Sequence, residues 1–164
     1  MTEQTAVLKE KLAQNPDGIL EVFAKEHGLS LADTIRCLPE EMWREHPGDC
    51  FENVITNITD WGKVTAIANT GDMIFEVEGS FPKGTFGHGY YNLKKTEGGF
   101  SGHIKADACN AVFFLQRPFF SKQTASVNFM NGDGNCYLKI FLGRDADGEI
   151  KSDQLEKFND LANW

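Results

Sequence analysis

Long apolar runs are missing from this chain: no stretch approaches the ~20 residues that a membrane span requires, so no membrane partner is expected. The opening MTEQTAVLKEKLAQ is charged and helix-like, without the apolar centre of a signal peptide. Cysteine is scarce. Cys37, Cys50, Cys109 and Cys136 are widely spaced with no C-x-x-C pair, which fits neither a zinc module nor a secreted disulfide framework. Positive charge is in deficit, with 16 Lys and Arg against 24 Asp and Glu and a net charge of -8. That balance argues against nucleic acid and anionic lipid as partners, although an anionic small ligand remains open to a pocket that gathers Lys and Arg. These absences together imply a reduced, cytoplasmic protein.

What is present is ordinary globular composition, 41 % hydrophobic and 24 % charged over 164 residues. Such a chain buries about 70 % of its unfolded surface, and residues 1–164 are expected to form one domain. Residues 1–61 read mainly as helix. NPDG at 15–18 interrupts the first helix, Gly28 ends the second, and Ser30 with Asp33 opens a third before Pro39. Phe51, Val54, Ile55, Ile58 and Trp61 mark a further helix that Gly62 stops. From 62 to 145 the chain changes character: short segments rich in Val, Ile, Phe and Tyr alternate with Gly, Asn and Asp turns. MNGDGN at 130–135 is a hairpin signal. The spacing leaves no room for crossover helices, so the sheet should be an antiparallel meander. SDQLEKFNDLANW, 152–164, reads as a final helix capped by Ser152 and burying Leu155, Phe158 and Leu161. The expected class is α+β.

The stretch GTFGHGYYNL, 84–93, combines three glycines, one histidine and two tyrosines. Extended over 88–93, it puts His88, Tyr90 and Asn92 on one face and Tyr91 and Leu93 on the other. A hairpin to GFSGHIKAD that opposes Leu93 with Phe100 also opposes Tyr90 with His103 and His88 with Lys105, about 5 Å apart. One face then holds a phenol, two imidazoles and an ammonium. A phenol becomes a good ligand when a cation drives off its proton; ferric iron does this, and tyrosinate is a known axial ligand of haem. The set points to ferric haem b with Tyr90 on the iron and His103 as a second ligand or hydrogen-bond donor. Lys105, Lys94, Lys95 or Arg117 would meet the propionates, and the 13 phenylalanines, Phe100 among them, offer apolar walls. Spacing alone leaves the plainer reading open, in which a Tyr-rich strand with glycine turns is sheet packing and the histidines lie on the surface. His27 and His46 sit in the helical region and carry no functional expectation.

WGKVTAIANTGDMIFEVEGSFPKG, GHGYYNL, GFSGHIKAD and LKIFLGRDADGEI resemble, in order and spacing, the cytosolic haem-utilisation carriers of the HutX and ChuX kind. The resemblance covers nearly the whole chain, including NPDGILEVFAKEHGLSLADTIRCLP. It implies an antiparallel sheet flanked by helices, a homodimer, bound haem, and a haem-degrading protein as acceptor. By the same resemblance Tyr90 matches an iron-ligating tyrosine and His103 a histidine implicated in haem binding. Some relatives carry a histidine where this chain has Asn69, and an asparagine is a poor iron ligand, so weight shifts onto Tyr90.

A tyrosinate favours ferric iron and disfavours oxygen binding, which implies a carrier without catalytic turnover. Two other classes remain. A neutral histidine ligand from His103 or His88 would favour a haem-degrading enzyme. VFAKEHGLSLADTIRCL has helix-turn-helix spacing, but its second helix offers only Arg36 to phosphates, beside Asp33. GRDADGEI lacks the bidentate Glu of a calcium loop and reads as a turn.

Overall fold

Capping chemistry sets the first helices, α1 (Glu3–Gln14), α2 (Leu20–His27) and α3 (Leu31–Ile35), in a computed structural model that describes residues 3–164. Gly28 ends α2 at φ 62°, a left-handed conformation that costs glycine little. Ser30 caps α3, its Oγ accepting the Asp33 N–H at 3.1 Å. The α1–α2 turn is latched onto the hairpin at Phe120 and Ser121, whose N–H groups donate to the Asp17 carboxylate at 2.9 and 2.8 Å. Those two residues have φ of 48° and 62°, rare for residues with a side chain. Arg117 completes the latch, its guanidinium donating to the carbonyls of Pro16, Gly18 and Pro118 at 2.8, 2.6 and 3.1 Å.

The strands that follow are β1 (Trp43–Pro47), β2 (Lys63–Asn69), β3 (Ile74–Ser80), β4 (Gly84–Gly87), β5 (Tyr90–Leu93), β6 (Gly102–Lys105), β7 (Ala111–Phe119), β8 (Lys122–Met130) and β9 (Cys136–Phe141). α4 (Phe51–Ile58) precedes β2, and α5 (Ser152–Ala162) closes the chain. Every pairing is antiparallel, and the α+β class is as expected. The strands make two sheets instead of one meander, a six-stranded one in the order β1-β7-β8-β9-β2-β3 and a three-stranded one in the order β4-β5-β6. The chain leaves the large sheet at Phe81 and Pro82: the phenyl ring turns inward, and the proline has no N–H for a ladder. β1 lies within the stretch expected to be mainly helical, pairing with β7 at the sheet edge between Pro39 and Pro47.

The large sheet is covered unequally. On one face Val64, Ala66, Val112, Phe114, Val127 and Phe129 pack against α4 and α5. α4 brings Phe51, Val54, Ile55 and Ile58, the i, i+3, i+4, i+7 stripe that helical periodicity predicts; burying each such side chain contributes about 1.5–3 kcal/mol. On the other face α1–α3 cover only the end formed by Ala111, Phe113, Leu115 and Met130. The rest of that face stays open as a groove. α5 is rotated from its expected setting. Ser152 is its first residue and makes no cap, and Leu155 and Leu161 are half-buried, while Gln154, Phe158 and Ala162 point inward. The reason is polar: Gln154 donates to the Trp61 and Lys63 carbonyls at 2.8 and 2.9 Å and accepts from Gly143 N–H at 2.7 Å.

Candidate functional site

The small sheet keeps the expected faces but shifts the register. Tyr90 opposes Lys105, Asn92 opposes His103 and Leu93 opposes Gly102, where the hairpin reading paired Tyr90 with His103, His88 with Lys105 and Leu93 with Phe100. The shift is two residues, and side chains alternate with period two, so no side chain changes face. Its cause is a turn. Thr96 N–H donates to the Phe100 carbonyl at 2.9 Å and its Oγ1 accepts the Phe100 N–H at 3.0 Å, which withdraws Phe100 from the ladder. The Phe100 ring then packs edge-on against Phe81 with centroids 5.5 Å apart. His88 is outside any strand. With φ 53° it forms the β4–β5 turn together with Gly89 at φ 80°, a pair of left-handed residues that suits a two-residue hairpin.

The two tyrosines divide as alternation requires. Tyr91 is 2 % exposed, its ring edge-on to Phe51 at 5.5 Å and to Phe86 at 5.0 Å. Tyr90 is 39 % exposed on the outer face, its ring centroid 6.1 Å from that of His103. His103 is oriented by a neighbour that sequence reasoning left without a role. Its Nδ1 donates to Asn92 Oδ1 at 2.7 Å, and Asn92 Nδ2 donates to the Gly87 carbonyl at 3.0 Å. A histidine that gives one ring N–H to a carbonyl presents its other nitrogen as a lone-pair donor, the arrangement that orients metal-ligating histidines. The signal for Asn92 was its place on the Tyr90 face. Tyr90, His103, Lys105 and Asn92 therefore come together on the small sheet.

Arg117 and Asn69 lie elsewhere, in the groove over the large sheet, whose volume is about 780 Å³. The Arg117 donors are taken up by three backbone carbonyls, and burial lowers its pKa against the pull of Glu21 and Asp17. Asn69 is turned to its own loop, its Oδ1 accepting Gly71 N–H at 2.9 Å. Lys139 crosses to Glu21 at 2.8 Å. Ile67, Ile74, Phe119 and Phe141 supply apolar wall. Asn128 is 1 % exposed at the groove, and its Oδ1 has no hydrogen-bond partner among the described residues. Cys136 also faces the groove, its thiol pushed up to about 11 by burial; a protonated thiol is a poor ligand.

His27 and His46 are structural: His27 Nδ1 is 2.9 Å from the Phe23 carbonyl and His46 Nε2 is 3.0 Å from that of Ala162. The helix-turn-helix reading meets a physical obstacle. α3 has five residues, of which Leu31, Ala32, Thr34 and Ile35 are buried, and Arg36 is tied to Asp33 and Glu45. It presents no face to a DNA groove. Among the described residues no three His, Cys, Asp or Glu side chains are grouped to hold a bare metal ion, and no helix is long and apolar enough to cross a membrane.

Residues 44–161 match the family described as haem utilisation ChuX/HutX, and the chain belongs to that family. It is 32 % identical over 147 residues to the intracellular heme transport protein HutX of Vibrio cholerae serotype O1, covering 90 % of this chain and 76 % of that one. A crystal structure of a protein from Erwinia carotovora superposes with a TM-score of 0.91 at 42 % identity, covering 99 % of this chain and 98 % of the other. The heme-binding protein ChuX superposes with a TM-score of 0.87 at 41 % identity, over 95 % of this chain and 97 % of the other.

Proposed function

We propose that this chain is a cytoplasmic haem carrier that takes up ferric haem b as cargo, works as a homodimer, and passes the haem to a haem-degrading partner without turning it over. The observation that carries the reading is the outer face of the small sheet, where Tyr90 stands exposed 6.1 Å from His103. Tyr90 takes the role of axial ligand. The phenol gives its proton to water, its oxygen binds the ferric iron, and the oxidation state of the iron does not change. His103, set by Asn92, supplies a hydrogen-bond partner or second ligand, and Lys105, directly across from Tyr90, meets a propionate. An anionic oxygen ligand favours the ferric state, so the complex stores and transfers. The names of HutX and ChuX, as transport and binding proteins, support this class.

The test is titration of the apo-protein with ferric haem while its absorption spectrum is recorded. The parent should show the phenolate-to-iron charge-transfer band; Tyr90→Phe should lose it and bind at least about tenfold more weakly, a cost of about 1.4 kcal/mol. A Tyr90→Phe spectrum and affinity equal to the parent's would overturn the assignment. One observation favours a second reading: the free ring nitrogen of His103 is a neutral ligand of the kind a degrading enzyme uses. Reductant and oxygen added to the complex, with catalase present, separate the two. Catalase-resistant conversion to a biliverdin-like product supports the enzyme, and an intact haem supports the carrier.

A further inference from the structure

A central strand of the large sheet carries polar side chains where a purely apolar trough has no use for them. Thr124, Ser126 and Asn128 alternate along β8 onto the floor of the groove, between walls that include Ile67, Ile74 and Phe141. Asn128 is 1 % exposed. Its Nδ2 is committed: it donates to Ser126 Oγ at 3.0 Å and lies 3.4 and 3.5 Å from the carbonyls of Ser126 and Phe113. Three acceptors around that atom fix which way the amide is turned. Oδ1 is then the end without a partner among the described residues, and a buried acceptor gains from any N–H or O–H brought to it. The same groove offers iron little. Among the described residues that line it there is no histidine, tyrosine or methionine, and Cys136 keeps its proton.

We propose that the groove is a site for an iron-free, ring-opened tetrapyrrole, one of whose N–H groups donates to Asn128 Oδ1. The chain belongs to a haem-utilisation family, and a linear tetrapyrrole is what remains when the haem ring is cut and its iron leaves. Intact haem has no N–H or O–H of its own for that oxygen. Its nitrogens are on the iron, its edge is hydrocarbon, and its ionised propionates only accept. Opening the ring exposes pyrrole and lactam N–H groups. Shape agrees with chemistry. The groove, about 780 Å³, has the size of a small-molecule pocket. A second hollow of about 370 Å³ continues it and shares Ile67, Glu76, Phe119, Thr124 and Phe141 with it. A jointed chain of four rings can follow such a trough, whereas a rigid disc cannot. Lys25 lines the groove and is in no ion pair among the described residues, so its ammonium is open to a propionate. The site is independent of Tyr90 and of the iron ligation assigned to it.

The test titrates the apo-protein with biliverdin and follows the visible circular dichroism that a bilin acquires when a chiral site fixes its twist. The parent should develop a saturable band. Asn128→Leu keeps the volume of the side chain and removes the acceptor, and it should weaken biliverdin binding at least about tenfold. If that variant does not fold, Ile67→Trp, which fills the groove from its β2 wall, is read in its place with the same expectation. Tyr90→Phe should bind biliverdin as the parent does. A parent that develops no band overturns the proposal. So does an Asn128→Leu protein that binds as tightly as the parent, the result if water alone satisfies Oδ1, and so does loss of biliverdin binding in Tyr90→Phe. The ferric haem charge-transfer band, recorded on the same proteins, tests the Tyr90 assignment as a separate result.

Discussion

Replacing Tyr91 and Tyr90 in turn with alanine separates packing from ligation within one strand. Tyr91 is 2 % exposed between Phe51 and Phe86. Truncating a buried aromatic leaves a cavity and costs about 3–5 kcal/mol, a large part of the roughly 5–15 kcal/mol that holds a domain together. Tyr90, 39 % exposed on the outer face, should cost less than about 1 kcal/mol. With a urea slope of about 2 kcal/mol/M, Tyr91→Ala lowers the unfolding midpoint of the apo-protein by about 1.5–2.5 M and Tyr90→Ala by less than about 0.5 M. Fluorescence of Trp43, Trp61 and Trp164 follows the transition. Haem titration of the folded variants should rank them in reverse, Tyr90→Ala being the more impaired. A larger midpoint shift for Tyr90→Ala than for Tyr91→Ala would refute the assignment of faces, and with it the exposed phenol.

Gln154→Leu deprives the Trp61 and Lys63 carbonyls and the Gly143 N–H of their partner. At about 1 kcal/mol or more for each orphaned group, the urea midpoint should fall by at least about 1.5 M; an unchanged midpoint would show that these bonds do not hold α5. Burial raises the Glu21 pKa, but the charge and hydrogen bond of Lys139 outweigh it and leave the carboxyl below its ordinary 4.5. A lowered carboxylate stabilises the fold above that value and ceases to do so as pH falls through the folded pKa. The stability gap between the parent and Glu21→Gln should therefore be widest near neutrality and narrow as the pH falls below the ordinary carboxyl value of 4.5. Urea midpoints taken across that range test it, and a gap that widened on acidification would reverse the sign.

Local chemistry was legible in the sequence where it acts over a few residues. Ser30, Gly28 and the Phe51–Ile58 stripe do what their types and spacing require, and the strand motifs carry the family resemblance that the comparisons bear out. The faces of β5 and β6 were legible too, because alternation survives a slip of two. What was hidden depends on contacts far apart in the chain. Gln154 turns inward for carbonyls more than ninety residues away, and Arg117 looks like a free cation until Pro16 and Gly18 are brought to it. The Phe100 side chain left the ladder for Phe81. Short strands such as β1 and β4 offer too few alternations to announce themselves; β1 follows a helical pattern and β4 is half glycine.

The fastening of the α1–α2 turn by Asp17 and Arg117 bears on access to the groove. With Asp17 gripping the tip of the β7–β8 hairpin and Arg117 gripping the turn from beneath, the helical roof is pinned at its outer corner. Anything that enters the groove then meets a fixed wall at that corner, and the α1–α2 turn does not serve as a hinge over it.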